Sequence, residues 1–195
     1  MSVSPPQPTR YQDVNNALNL LLSHQQAILS EQFVGLYLGG SLALGDFTPH
    51  RSDIDFVAVT VDESSPGMVA ALEEMHTVLW ATGPIWARKL DGSYVPQQVF
   101  RHWSAPHPPC PFVEGNSFTI TQQGSAVIQR HIIHQYGVVV AGPSPYILRR
   151  YSDSHRTRNA RIIFGHPIPI RMGRSESISV RYVAEIALFF RGWSR

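Results

Sequence analysis

The spacing of apolar and polar positions changes twice along the first sixty residues. Over residues 10–31, Val14, Ala17, Leu18, Leu21, Leu22 and Ile28 recur near the 3.6-residue period, with Leu20 and Leu29 widening the stripe, which predicts a helix. Residues 33–38 form a short apolar run and predict a strand; 39–45 predict a turn and the start of a short helix. Pro49 makes 48–52 a loop, and 54–61 predict a second strand. Ser64-Ser65-Pro66 is a helix start, with Ser65 as cap and Pro66 at the first position; that helix runs to about Trp80 and stops at Gly83-Pro84. Residues 85–95 predict a third strand, interrupted near Asp91-Gly92. Four prolines make 104–111 a loop without regular structure. A strand is expected at 117–121 and a helix at 125–136, with Val127, Ile128, Ile132 and Tyr136 as its apolar face and Gly137 at its stop. Residues 138–140 are a short extended apolar segment. Past Arg150 the periodicity weakens, and 178–190 alone predict another helix, with Val180, Val183, Ala184 and Ala187 inward.

Helices interspersed with short strands predict an α/β (α+β) fold: a small mixed sheet flanked by helices. The Pro/Ser/Gln-rich residues 1–9 are expected to be a loose N-terminus, 10–148 the folded domain, and 149–195 an atypical C-terminal segment. Charge marks that last boundary. Residues 1–148 hold six Lys or Arg against eleven Asp or Glu, whereas 149–195 hold ten Arg against three acids. A basic tail suits nucleic acid, but the body carrying the chemistry below is acidic, so a nucleic-acid partner is disfavoured. Cys110 is the single cysteine, which excludes an internal disulfide and fits a cytoplasmic location. The N-terminus has no apolar signal segment, and no run approaches the ~20 apolar residues that span a bilayer.

The chemistry concentrates in 36–59. An apolar run ends in Gly39-Gly40-Ser41, and the next apolar run opens with Asp53-Ile54-Asp55. Side chains two apart on a strand share a face, so Asp53 and Asp55 project together while Ile54 and Phe56 enter the core. Adjacent carboxylates repel unless a cation sits between them, and a hard divalent cation such as Mg2+ matches their oxygens. Gly40 lets backbone approach a ligand closely, and Ser41 offers an N–H and a hydroxyl to a phosphate.

With strand-forming residues on both sides, Gly40-Ser41-x11-Asp53-x-Asp55 resembles the nucleotidyltransferase superfamily, and more narrowly the adenylyltransferases that modify streptomycin and spectinomycin. Lys89-Leu-Asp-Gly-Ser-Tyr-Val-Pro96 and Tyr136-Gly-Val-Val-Val-Ala-Gly-Pro-Ser-Pro145 support the narrower likeness, which covers roughly residues 10–148. The resemblance implies transfer of AMP from Mg2+-bound ATP to a hydroxyl of a small molecule, an aminoglycoside antibiotic among the candidates. It implies Asp53 and Asp55 as metal ligands, and Gly40, Ser41 and Ser52 as nucleotide-binding residues. Asp91 stands where the family has a glutamate acting as general base, and would be the third metal ligand; it is one methylene shorter, and Asp91-Gly92 also reads as a simple turn. Glu114 is an alternative base. The family continues into a C-terminal helical domain that 149–195 do not resemble, so truncation or a frameshift is expected to weaken activity. Two other functions remain open: a non-catalytic or antitoxin-like nucleotide-binding module, favoured by the C-terminus, and nucleotidylation of a protein or RNA, favoured by the Arg-rich tail.

Other residues point less far. Gly39-x-Ser41-x-Ala43 lacks the last glycine of a nucleophile elbow, and Asp53 follows too soon for a hydrolase triad. His131 and His134 have a possible ligand spacing but no acid or cysteine nearby, and read as a solvated helix face. His102 and His107 flank a proline loop, and Cys110 has no activating partner. Trp80, Trp86 and Trp103 read as core or rim, with Trp103 also open to lining an acceptor cleft.

Overall fold

A computed structural model describes residues 6–101, 108–122 and 125–150. Among these, the elements in order are α1 (Gln12–Leu29), β1 (Phe33–Leu38), α2 (Gly40–Leu44), β2 (Ile54–Thr60), α3 (Pro66–Thr82), β3 (Leu90–Pro96), α4 (Gln97–Arg101), β4 (Cys110–Glu114), β5 (Ser117–Thr121), α5 (Ser125–Tyr136), β6 (Val138–Ala141) and α6 (Pro145–Arg150). The expected helix at 178–190 lies outside the described residues, as do His102, Trp103 and His107.

The strands form one mixed sheet in the order β5-β4-β3-β2-β1-β6. β2 and β3 are parallel, joined by α3 as crossover; the other pairs are antiparallel. Strand alternation sorts the side chains into two cores. On one face Leu36, Leu38, Ile54, Phe56, Ala58, Leu90 and Tyr94 meet the apolar stripes of α1 and α3. On the other, Tyr37, Val57, Val59 and Val95 meet Val99 and Phe100 of α4, Ile133 of α5 and Leu148 of α6. Burying one such side chain contributes about 1.5–3 kcal/mol, so helices on both faces hold the central strands firmly. No helix among the described residues is long and apolar enough to cross a membrane.

Four expectations change. Residues 85–89 are a 3-10 turn rather than strand, and β3 runs through Asp91-Gly92 without a break. Gly92 is needed there for space: a Cβ would strike the Phe56 carbonyl and come within 2.6 Å of the Phe56 ring. Cys110 and Pro111 belong to β4 rather than a loop; β4 pairs with β3 only at Val113 and Phe112, so the missing Pro111 N–H leaves that ladder intact. In α5, Ile132 is buried as expected, but Ile133 joins it and Tyr136 is exposed, because the helix leans on the sheet through positions 129 and 133. The side chains of Val127 and Ile128 fall outside the described set.

One polar cluster is deeply buried. Gln25 of α1 donates through Nε2 to the Tyr94 hydroxyl at 3.0 Å, and that hydroxyl lies 2.7 Å from His76 Nε2 on α3. Burial holds the His76 imidazole down from its ordinary 6.5 to about 4.

Candidate active site

The β1–β2 pairing decides where the chemistry collects. β1 runs antiparallel to β2, with Leu38 opposite Phe56, so the end of β1 and the Gly39-Gly40 bend lie beside the start of β2. The Gly39 N–H donates to the Asp55 carbonyl at 2.9 Å, tying bend to strand. Gly40 has φ 49°, a left-handed conformation suited to glycine, and a Cβ there would collide with the Asp55 carboxylate. The bend and the acid therefore touch. The first helical bond of α2 runs from the Ala43 N–H to the Gly39 carbonyl at 3.1 Å, so the N–H groups of Gly40, Ser41 and Leu42 precede the helical ladder.

The parallel register of β2 and β3 places Asp91 opposite Asp55. Both project to the face that carries Val57, Val59 and Val95, away from the α1–α3 core. Asp53, exposed just before β2, lies near enough for its charge to act on both. Asp55 is pushed up to about 6, first by burial and further by the charges of Asp91 and Asp53, against a hydrogen bond from Gln129 that lowers it. Asp91 is raised mainly by burial, with Asp53 and Glu114 adding to it.

Asp55 and Asp91 each accept a hydrogen bond from another element of the fold. Gln129 Nε2 on α5 reaches Asp55 Oδ1 at 3.0 Å. The Gly115 N–H reaches Asp91 Oδ1 at 3.2 Å, from a hairpin turn whose central residues, Gly115 and Asn116, have φ of 55° and 63°. Sequence reasoning identified neither donor. A glutamine one helical turn before the buried Ile133 was the available signal for Gln129, and the Glu114-Gly115-Asn116-Ser117 turn was the signal for Gly115.

Ser41 is half-buried in the bend. Ser52 fastens the loop: its hydroxyl oxygen accepts from the Thr48 N–H at 3.0 Å, and its carbonyl accepts from Lys89 Nζ at 3.2 Å. Glu114 is exposed beside Asp91. His134 is not on a solvated face: its ring packs on Phe100 with centroids 4.8 Å apart, because α5 leans on α4. Cys110 is buried and its thiol is pushed up to about 11, chiefly by burial, which leaves it a poor nucleophile.

The three aspartates fit a hard divalent cation chemically. They offer only carboxylate oxygens, and their mutual repulsion is what a cation would relieve. Among the described residues no three His, Cys, Asp or Glu side chains are grouped closely enough to hold a metal ion between them without further ligands. A Mg2+ ion typically takes one or two carboxylates and fills its remaining positions with water and phosphate oxygens.

Residues 24–90 match the nucleotidyltransferase domain family. No curated protein sequence matches the chain. A similar solved structure is the spectinomycin adenyltransferase AAD(9) from Enterococcus faecialis, crystallised with ATP and spectinomycin; it is 15% identical, with a TM-score of 0.49 over 68% of this chain and 58% of that one. This chain thus aligns with little more than half the length of that relative. The glycine bend, Ser52, Asp53 and Asp55 fall inside the segment that matches the nucleotidyltransferase domain family, and Asp91 is the first residue past it.

Proposed function

We propose that this chain transfers AMP from Mg2+-bound ATP to a hydroxyl group of a small molecule and releases pyrophosphate. The observation that supports this reading is the contact of Asp55 with the Gly40 bend, with Asp91 opposite Asp55 on the neighbouring strand and the charge of Asp53 acting on both. Asp53, Asp55 and Asp91 are the residues that would hold Mg2+. When bound, Mg2+ stabilises charge on the attacking and leaving oxygens. The N–H groups of Gly40 and Ser41 and the Ser41 hydroxyl would hold the terminal phosphates. With only five residues in α2, these donors matter more than any helix dipole. Ser52 is assigned to the same nucleotide.

Asp91 is the proposed general base. It takes the proton of the acceptor hydroxyl as that oxygen bonds to the α-phosphorus. The bond from the α-phosphorus to the bridging oxygen breaks, and pyrophosphate leaves with the electron pair. The burial that raises Asp91 makes it a stronger proton acceptor than a free aspartate, which favours this role at neutral pH. Its side chain is one methylene shorter than the glutamate of the resembled family, so the Gly115 hydrogen bond matters for its aim.

An aminoglycoside or aminocyclitol acceptor follows from that resemblance, and an acidic body of eleven Asp or Glu against six Lys or Arg over residues 1–148 suits a cationic acceptor. Such a modification would confer resistance to the antibiotic. The test is incubation of the full chain with Mg2+, ATP labelled at the α-phosphate, and a panel of aminoglycosides and aminocyclitols. Label on one acceptor, matched by pyrophosphate and lost in Asp53→Asn and Asp55→Asn, is the expected result. ATP binding without label transfer to any acceptor would make the chain a nucleotide-binding module instead, and label on protein or RNA would change the acceptor class.

A further inference from the structure

We propose that Gln129 is a positioning residue for Asp55, and that α5 thereby sets the affinity of the acid site for its divalent cation. This rests on the reading of Asp55 as a metal ligand. The two Asp55 oxygens have different surroundings. Oδ1 accepts a hydrogen bond from Gln129 Nε2 at 3.0 Å, while Oδ2 abuts Gly40. A neutral amide holds one oxygen and leaves the other at the bend where the phosphates are assigned. The remaining amide atom, Gln129 Oε1, lies 3.2 Å from where a Gly39 Cβ would stand, and is buried without a hydrogen-bond partner. The amide is therefore wedged between the acid and the bend, where Gly39 itself donates to the Asp55 carbonyl.

Packing alone would not select this residue. Gln129 is one helical turn before Ile133, on the side of α5 that faces the sheet, where an apolar side chain would bury without an orphaned oxygen. What the amide adds is the bond to Asp55. Donors that hydrogen-bond to a ligating carboxylate orient it, and their loss typically weakens metal binding 10–100-fold. Gln129 also lies outside the matched segment 24–90, so this hold comes from a part of the chain the family match does not reach.

The test is Mn2+ binding to the full chain, followed by the loss of the free-ion EPR signal, in the unmodified protein and in Asp55→Asn, Gln129→Met, Gln129→Asn and Ile132→Ala. Methionine keeps the shape of glutamine without its donor, and asparagine keeps the amide but withdraws it by one methylene. Both are expected to weaken Mn2+ binding about tenfold or more. Ile132→Ala removes buried packing from the same helix, so its melting temperature should fall while Mn2+ affinity holds. Unmodified Mn2+ affinity in either Gln129 variant, with loss in Asp55→Asn, would overturn the positioning role and leave the metal site standing. Equal weakening in Ile132→Ala and the Gln129 variants would reduce the effect to helix packing and overturn it too. Asp55→Asn binding Mn2+ like the unmodified protein would instead remove the metal reading itself.

Discussion

Asp91 stands directly opposite Asp55 in the parallel register of β2 and β3, two carboxylates on neighbouring strands and on one face of the sheet. Like charges in this position destabilise a sheet. Asp55 carries the larger cost, since it is the more deeply set of the two and feels the charges of both Asp91 and Asp53. Asp55→Asn is therefore expected to stabilise the metal-free protein, by about 1–2 kcal/mol, while abolishing nucleotidyl transfer. Urea denaturation without metal and the transfer assay check the two halves. A destabilised Asp55→Asn would mean that the acid contributes to folding rather than opposing it.

Asp91 is assigned the acceptor's proton in addition to the metal role it shares with Asp55, and their variants should separate. Asp91→Asn removes the proposed base but keeps a side chain of the same size beside Gly115. Turnover is expected to fall about 10^2–10^4-fold, with ATP affinity changed only a few-fold. Steady-state kinetics together with ATP titration give the comparison. A loss confined to ATP binding would leave Asp91 with its metal role alone and place the base elsewhere, with Glu114 the next acid to examine.

Gly40 and Gly45 both have positive φ, at 49° and 84°, but only Gly40 has the Asp55 carboxylate where a Cβ would be; nothing lies within 4 Å of that position at Gly45. Gly45→Ala is expected to cost about 1 kcal/mol of backbone strain and to keep activity. Gly40→Ala carries the same strain and also displaces Asp55, so ATP affinity should fall with it. Thermal melts and nucleotide titration of the pair decide the matter; equal affinities would show that contact at the bend is incidental.

The bend and the first acid pair could be read before the fold because they are close in sequence and each has a local signature. Gly39-Gly40-Ser41 follows an apolar run, and Asp53-Ile54-Asp55 follows strand alternation. The sequence points to Asp91 as well, but not to its register with Asp55. A glycine after an aspartate looks like a turn, and only Phe56 filling the space beside Gly92 explains why the strand continues. Gln129 and Gly115 were illegible for a different reason. Each acts on an acid far away in sequence, through a single hydrogen bond that only the packing of α5 and the β4–β5 hairpin creates. Pro111 misled because proline usually breaks strands, and here it precedes the residues that pair with β3.

Acid should act on the core as well as the site. His76 is buried among the Phe56, Trp80 and Phe118 rings and against the Tyr94 hydroxyl, which holds it at about 4 rather than 6.5. The folded state thus binds this proton less readily than the unfolded chain. The stability is fully present above pH 6.5 and is lost as pH falls towards 4, by about 3 kcal/mol in all. Urea midpoints between pH 7.5 and 4.5 should follow that course, and His76→Gln should flatten it. An unchanged slope in His76→Gln would assign the acid sensitivity to other groups.

The most direct measurement is calorimetric titration of ATP into the full chain, with and without Mg2+, for the unmodified protein and for the Asp53→Asn/Asp55→Asn double variant. ATP binding that requires Mg2+ and weakens by an order of magnitude or more in the double variant is the expected result. ATP binding of equal strength without Mg2+, or unchanged in the double variant, would contradict a magnesium-bound triphosphate gripped between these aspartates and the Gly40 bend.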